Sequence, residues 1–389
     1  MRKGNGKFNL NDEVKLKMIN SIYEKLAKIV VDYSLEIKKG HTVFIGGPAL
    51  AQELFQALNI EIIKAGAHPM VVPGIEGIRE NFFKYASEEQ LTYVDKFEEL
   101  LYTEFDRLIE IRATYNTRRY SSIDPKKLST FMGVPKRKEL REIQDQRTST
   151  GELRWIVIPF PCNAHAQEAN MDLFSYTEFV NKSLFLDKDN PVDEWKKMQR
   201  TQDLITDSLN KVKSIQIIGE DTDLTLSTED RKWINCSGQR NLPDGEVYTG
   251  PVEDSVNGHI RFTYPGIYMG KEVENISLEF KDGEVIKATA TKGEDVLQEI
   301  LKVENAKIIG EFAIGTNFGI SKFTKNMLFD EKMGGTLHCA LGLGFEWTGS
   351  KNRSSVHWDI LKDMRIPGSK IIADGNIIYE EGKWKIQIE

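Results

Sequence analysis

The chain has 389 residues, 40% hydrophobic and 29% charged, with 30 Gly and 12 Pro. This is globular composition with room for two domains of ~150 residues, and it excludes disordered, collagen-like and low-complexity chains. A net charge of −7, from 52 basic and 59 acidic residues without a dominant basic block, argues against nucleic acid or anionic lipid as a partner.

The charged amino terminus lacks the apolar core of a secretory signal, and no apolar run approaches the ~20 residues of a membrane span. Cys162, Cys236 and Cys339 are scattered and provide neither a disulfide framework nor a CxxC metal knuckle. A reducing, cytoplasmic location is therefore expected.

Apolar residues at helical intervals predict an amphipathic helix over residues 17–37. A strand at 41–45, a turn at Gly46-Gly-Pro48, a helix at 49–65 closed by Gly66, and a strand at 68–72 make a crossover unit of the kind that builds parallel sheets. Strands at 107–112 and 155–159 extend it, so the first half reads as a layered α/β domain. Gly46-Gly47 lacks both the GxGxxG spacing and the lysine of a phosphate loop.

Residues 188–211 form a polar amphipathic helix read as the connection between domains, giving expected domains at 1–211 and 212–389. Beyond it come short strands at 215–218, 223–226, 276–280 and 285–291, with a helix at 293–301, so the second half reads as a strand-rich α+β domain.

The chemistry concentrates in four blocks: Pro243-Asp-Gly-Glu246-Val-Tyr-Thr-Gly-Pro251, Ile309-Gly-Glu311-Phe-Ala-Ile-Gly-Thr-Asn317, Gly335-Thr-Leu-His338-Cys-Ala-Leu-Gly-Leu-Gly344 and Ser355-Val-His357-Trp-Asp359. Two residues apart on a strand, His357 and Asp359 share a face and make a ligand pair. His338 is another of only six histidines, and Glu246 and Glu311 each follow a glycine. The three carboxylates, two divalent ions and a bridging hydroxide sum to neutrality, whereas one ion would leave surplus buried negative charge. Two ions with mixed nitrogen and oxygen ligands suit hydrolysis, and acids nearby would attract a substrate's α-ammonium, which points to aminopeptidase chemistry.

These four blocks resemble the metal-ligand blocks of the M29 metallo-aminopeptidases, of aminopeptidase T and aminopeptidase S type. The resemblance implies a Rossmann-like amino-terminal domain, a carboxy-terminal metal-bearing domain, a homodimer, and removal of amino-terminal residues from peptides with Co, Zn, Mg or Mn. It implies Glu311 as the bridge between two ions, Glu246 as ligand to one, and His338, His357 and Asp359 completing the shells. The family carries a tyrosine seven residues after the first histidine, where this chain has Phe345, which cannot donate a hydrogen bond to an oxyanion. Tyr248, Tyr264, Tyr268 and Trp347 are the alternatives for that donor.

Glu253 is a spare acid and the candidate catalytic base, against a reading as a turn residue capping Ser255 or Asn257. His338, His357 and Asp359 also match the two-histidine, one-carboxylate set of non-haem Fe(II) enzymes. A ring-cleaving dioxygenase, on a fold like that of the dihydroxypyridine dioxygenases, is therefore the alternative. A non-catalytic metal-binding homologue is the third reading.

Overall fold

The computed structural model describes residues 21–386, which divide into two compact units, residues 21–115 with 122–160 and residues 116–121 with 161–386. The expected helix at 17–37 begins outside the described residues. Within them it is α-helical over Ser21–Lys28 and π-helical over Ile29–Ser34. The wider turn lets Ile29, Val30, Val31 and Tyr33 all bury, which a single 3.6-residue stripe does not permit.

Four strands of the first unit, β1 (Thr42–Pro48), β2 (His68–Gly74), β3 (Arg107–Arg112) and β4 (Arg154–Pro159), form an all-parallel sheet in the order β2-β1-β3-β4. Val43, Ile45, Ile109, Ile111, Ile156 and Ile158 are its buried aliphatic side chains. Helix Gln52–Lys64 makes the crossover from β1 to β2 and buries Leu54, Leu58 and Ile62. The turn expected at Gly46-Gly-Pro48 is instead strand: Gly46 pairs with both Val72 and Glu110, and a side chain at Gly47 would lie 2.7 Å from the Ile111 Cβ. The glycines here serve close strand packing, not a turn.

The second unit contributes β5 (Ser214–Gly219), β6 (Thr222–Ser227), β7 (Ile234–Cys236), β8 (Glu246–Thr249), β9 (Asn257–Arg261), β10 (Gly266–Tyr268), β11 (Lys271–Val273), β12 (Ser277–Lys281), β13 (Glu284–Thr289), β14 (Ile309–Gly315), β15 (Thr336–Gly342), β16 (His357–Asp363), β17 (Lys370–Ala373), β18 (Asn376–Glu380) and β19 (Lys383–Trp384). Eight form one antiparallel sheet, β13-β12-β9-β6-β5-β17-β18-β19, and five another, β16-β15-β14-β8-β7. The two sheets share one apolar core, in which Ile215, Ile217, Leu224 and Leu278 of the first meet Phe312, Ile314, Leu337, Leu341 and Ile360 of the second.

Residues 161–211, which the sequence reading assigns to the first domain, group with the second unit. Helix Pro191–Leu209 packs on β7 and β8, and its buried Gln202 donates to the carbonyls of Cys236 and Glu246. A mixed α/β architecture is thus present throughout. No helix among the described residues is long and apolar enough to cross a membrane.

Candidate metal centre

The five-stranded sheet carries the site on one face. Its register places Glu246 opposite Gly315, Tyr248 opposite Ala313, and Ala313 in turn opposite His338. It also places Glu311 opposite Ala340, Ala340 opposite Asp359, and Gly342 opposite His357. Opposed residues point the same way, and so do residues two apart on a strand. Glu246, Tyr248, Glu311, His338, His357 and Asp359 therefore share a face, interspersed with the small residues Ala313, Gly315, Ala340 and Gly342. Val247, Phe312, Ile314, Leu337, Cys339, Leu341, Trp358 and Ile360 point the other way, into the apolar core. The glycine before Glu311 also has a local cause: a Cβ at Gly310 would lie 2.3 Å from the Gly342 carbonyl oxygen.

All five predicted ligands come together. His338 Nε2 lies 3.4 Å from Glu246 Oε2 and 3.4 Å from Glu311 Oε1, while His357 Nε2 lies 3.5 Å from Glu311 Oε2 and 3.5 Å from Asp359 Oδ1. Donor atoms bound at ~2.0–2.1 Å to one tetrahedral ion sit about 3.4 Å apart, so these gaps fit coordination. The set forms two three-residue groups able to hold divalent metal, Glu246/Glu311/His338 and Glu311/His357/Asp359, with Glu311 common to both. Buried Glu246 Oε2 has no hydrogen-bond partner among the described residues, as expected of an atom reserved for a cation. His357 Nδ1 lies 2.9 Å from the Leu343 carbonyl; donating there leaves Nε2 as the lone-pair atom toward the cluster.

The electrostatics fit as well. Burial pulls His338 down, but Glu311, Glu246 and Asp359 prevail and push it up to about 9. His357 is likewise driven up to about 10, burial being outweighed chiefly by Asp359. Asp359 is held well below the usual carboxylate range, because His357 and His338 overcome its desolvation. Burial raises Glu246 to about 6 against the pull of Lys332. Without metal, protons on the imidazoles supply the positive charge that the carboxylates demand.

Glu253 joins neither group. Its Oε1 accepts from the backbone N–H of Lys351 at 2.6 Å and from Ser350 Oγ, and its Oε2 pairs with Arg231 at 2.6 Å. Nor does it cap Ser255, whose backbone N–H donates to the Val252 carbonyl, because both Glu253 oxygens are engaged elsewhere. Glu253 instead fastens the segment that leads to His357.

The structure separates the four donor alternatives left open around Phe345. Phe345 stacks on Trp347 at 4.8 Å and packs on His357 at 5.2 Å. Tyr248 lies edge-on to Phe345 at 5.8 Å, on the ligand face, and its phenol oxygen accepts the Trp347 Nε1 hydrogen at 2.8 Å. Tyr264 is engaged by Asp363 and Arg365, and Tyr268 packs on the core-facing Trp358.

Sequence reasoning missed three charged residues here. Buried Lys332 bonds Glu246 and Glu331, and Asp244 lies 3.9 Å from its ammonium. Burial raises Glu331 to about 7 and Asp244 to about 6, with Lys332 opposing both. The available signal was the charged run Asp330-Glu-Lys332 directly ahead of the apolar strand that carries His338.

The sequence profile of the thermophilic metalloprotease (M29) family matches residues 20–384. The chain is 27% identical to aminopeptidase PepS of Streptococcus thermophilus, over 93% of this chain and 98% of the relative. It is 27% identical to aminopeptidase T of Thermus thermophilus, over 92% of this chain and 95% of the relative. The fold matches wild-type AmpT from Thermus thermophilus with a TM-score of 0.80 at 20% identity, covering 94% of this chain and 99% of that one. A weaker likeness, TM-score 0.54 at 12% identity over 95% and 98% of the two chains, is to 2,5-dihydroxypyridine dioxygenase from Pseudomonas putida KT2440. With its profile matched almost end to end, the chain belongs to the M29 family of thermophilic metalloproteases.

Proposed function

We infer that this chain is a metal-dependent aminopeptidase whose Glu246, Glu311, His338, His357 and Asp359 hold two divalent ions. The observation that carries this reading is the pair of Glu311 oxygens, each 3.4–3.5 Å from a different histidine nitrogen. When bound, two such ions would supply a water of lowered pKa and Lewis-acid polarisation of the scissile carbonyl. Mixed imidazole and carboxylate donors suit Zn, Co or Mn, with Mg favoured less. The parallel sheet of the first unit supports a Rossmann-like layering there.

The chain's own groups divide the remaining work. Glu311 fixes the separation of the two halves, and the Leu343 carbonyl orients His357. Tyr248, its oxygen occupied by the Trp347 N–H, keeps its own proton to donate to the oxyanion that forms as the carbonyl is attacked. Glu331, partly exposed beside the cluster and raised by burial to about 7, is a better-supported proton acceptor than Glu253, whose oxygens are engaged.

A one-iron oxygenase needs only His338, His357 and Asp359. It would leave Glu246 Oε2 buried without a partner, which favours the two-ion reading. Metal analysis of freshly purified protein, with hydrolysis of Leu-p-nitroanilide under added Co, Zn or Mn, tests the choice. About two ions per chain with cleavage support the aminopeptidase; one iron with oxygen consumption on a dihydroxylated ring overturns it.

A further inference from the structure

Lys332 is among the largest fully buried side chains of the described residues. A buried ammonium is costly unless closely paired, and here it is surrounded by acid. Nζ lies 2.5 Å from Glu246 Oε1, bonds Glu331 Oε1, and stands 3.9 Å from Asp244 Oδ1. It thus sits among the carboxylates of a third donor group, Cys236/Asp244/Glu246.

The backbone that delivers it is fixed. A Cβ at Gly315 would lie 2.0 Å from the Met333 carbonyl oxygen, so this glycine lets the 332–333 peptide lie against the end of β14. Asn317 N donates to the Lys332 carbonyl at 3.0 Å, and Gly334 N donates to the Asn317 carbonyl at 2.9 Å. Asn317 in turn bonds the Asp244 carbonyl, tying the lysine to the turn that carries Glu246.

The two halves of the centre therefore face different surroundings. In the Glu246/Glu311/His338 half, one Glu246 oxygen is held by the ammonium and only Oε2 points toward His338. In the Glu311/His357/Asp359 half, the ion-pair partners of Glu311 and Asp359 among the described residues are the histidines, with no lysine or arginine bonded to a ligand. A hydrogen-bonded carboxylate is a poorer donor, and a fixed positive charge beside it opposes an incoming cation.

We propose that Lys332 is a positioning residue that makes the two halves unequal, holding Glu246 to a single donor oxygen so that the Glu311/His357/Asp359 half fills first and the Glu246/Glu311/His338 half fills more weakly. This rests on the two-ion reading above and adds an order of loading to it.

Stripped full-length protein titrated with Co(II), with bound metal read by equilibrium dialysis and d–d absorption, tests the order. The expected result is two steps separated by at least tenfold in affinity, with His357→Ala removing the tighter step and His338→Ala the weaker. Lys332→Met tightens the weaker step at least tenfold, whereas Lys332→Arg, which keeps the charge, retains the wild-type separation. Two equal steps, loss of the tighter step in His338→Ala, or a weaker step that Lys332→Met leaves unchanged or loosens would overturn the proposal. If Lys332→Met does not fold, the histidine variants still decide the order. Failure to bind any divalent ion overturns the two-ion reading and this order with it; equal steps overturn the order alone.

Discussion

The two faces of the five-stranded sheet are built from the same strands and alternate residue by residue, yet they do opposite work. On one face Phe312, Ile314, Leu337, Cys339 and Ile360 are at most 1% exposed and pack into the shared core. On the other, Glu311, His338 and Asp359 alternate with Ala313, Ala340 and Gly342, whose small size leaves room above the sheet. Period-two geometry lets packing and chemistry be specified independently in one segment, at the cost that a register slip would exchange them. The core face supplies the rigidity, and the ligand face uses it to hold donor atoms a few ångströms apart.

Glu311→Ala should break the ligand face most severely. With the shared carboxylate gone, both ions are lost and peptide cleavage falls by more than roughly a thousandfold. Retention of full metal content would remove Glu311 from the centre. Its neighbour one position along marks the contrast: Phe312→Ala should cost about 3–5 kcal/mol of stability in denaturant unfolding, while the protein that remains folded still binds its metal. Loss of metal from folded Phe312→Ala would show that the two faces are not separable.

Tyr248→Phe sharpens the comparison within the ligand face itself. Metal content and fold are expected to persist while kcat drops about a hundredfold, the effect of losing one oxyanion donor. Tyr264→Phe, whose phenol is committed to Asp363 and Arg365, serves as the control and should leave kcat within about twofold. Equal losses in both variants would dismiss Tyr248 as the donor.

Much of this was legible in the sequence, for local reasons. The His357-x-Asp359 spacing and the Gly-Glu pairs are short-range patterns, and strands such as Arg107–Arg112 carry their periodicity within a few residues. What needed the fold was long-range. No spacing shows that Glu246 and His338 become neighbours, because that depends on the register of β8, β14 and β15. Lys332 reads in sequence as a surface charge, since lysine is almost never fully buried without partners, and its partners lie at positions 246 and 331. Gly46-Gly47 misleads in the opposite sense: the pair signals a turn locally, and only the neighbouring strands show that it is needed for close approach. Residues 188–211 look like a linker by polarity, yet Gln202 and Trp195 bury within the second unit.

The smallest predicted effect concerns the state without metal, where protons stand in for ions. With His338 raised to about 9 and His357 to about 10, both imidazoles carry protons at pH 7.5, while Glu246, at about 6, has largely lost its own. Coordination through Nε2 requires those protons to leave, so loading at pH 7.5 should release about two protons per chain, measurable by calorimetry in buffers of different ionisation enthalpy. The same shifts set a stability window. A histidine whose pKa is raised by folding stabilises fully below its unfolded value of ~6.5, and that contribution disappears as pH climbs through the folded values. The metal-free protein should therefore lose stability steadily between pH 7 and 10, as both imidazoles give up their protons. The loaded protein, with neutral imidazoles throughout, should not show this decline. Parallel melting curves for the two forms across that range would mean that the histidines are not charged in the metal-free cluster, and that something other than protons balances its carboxylates.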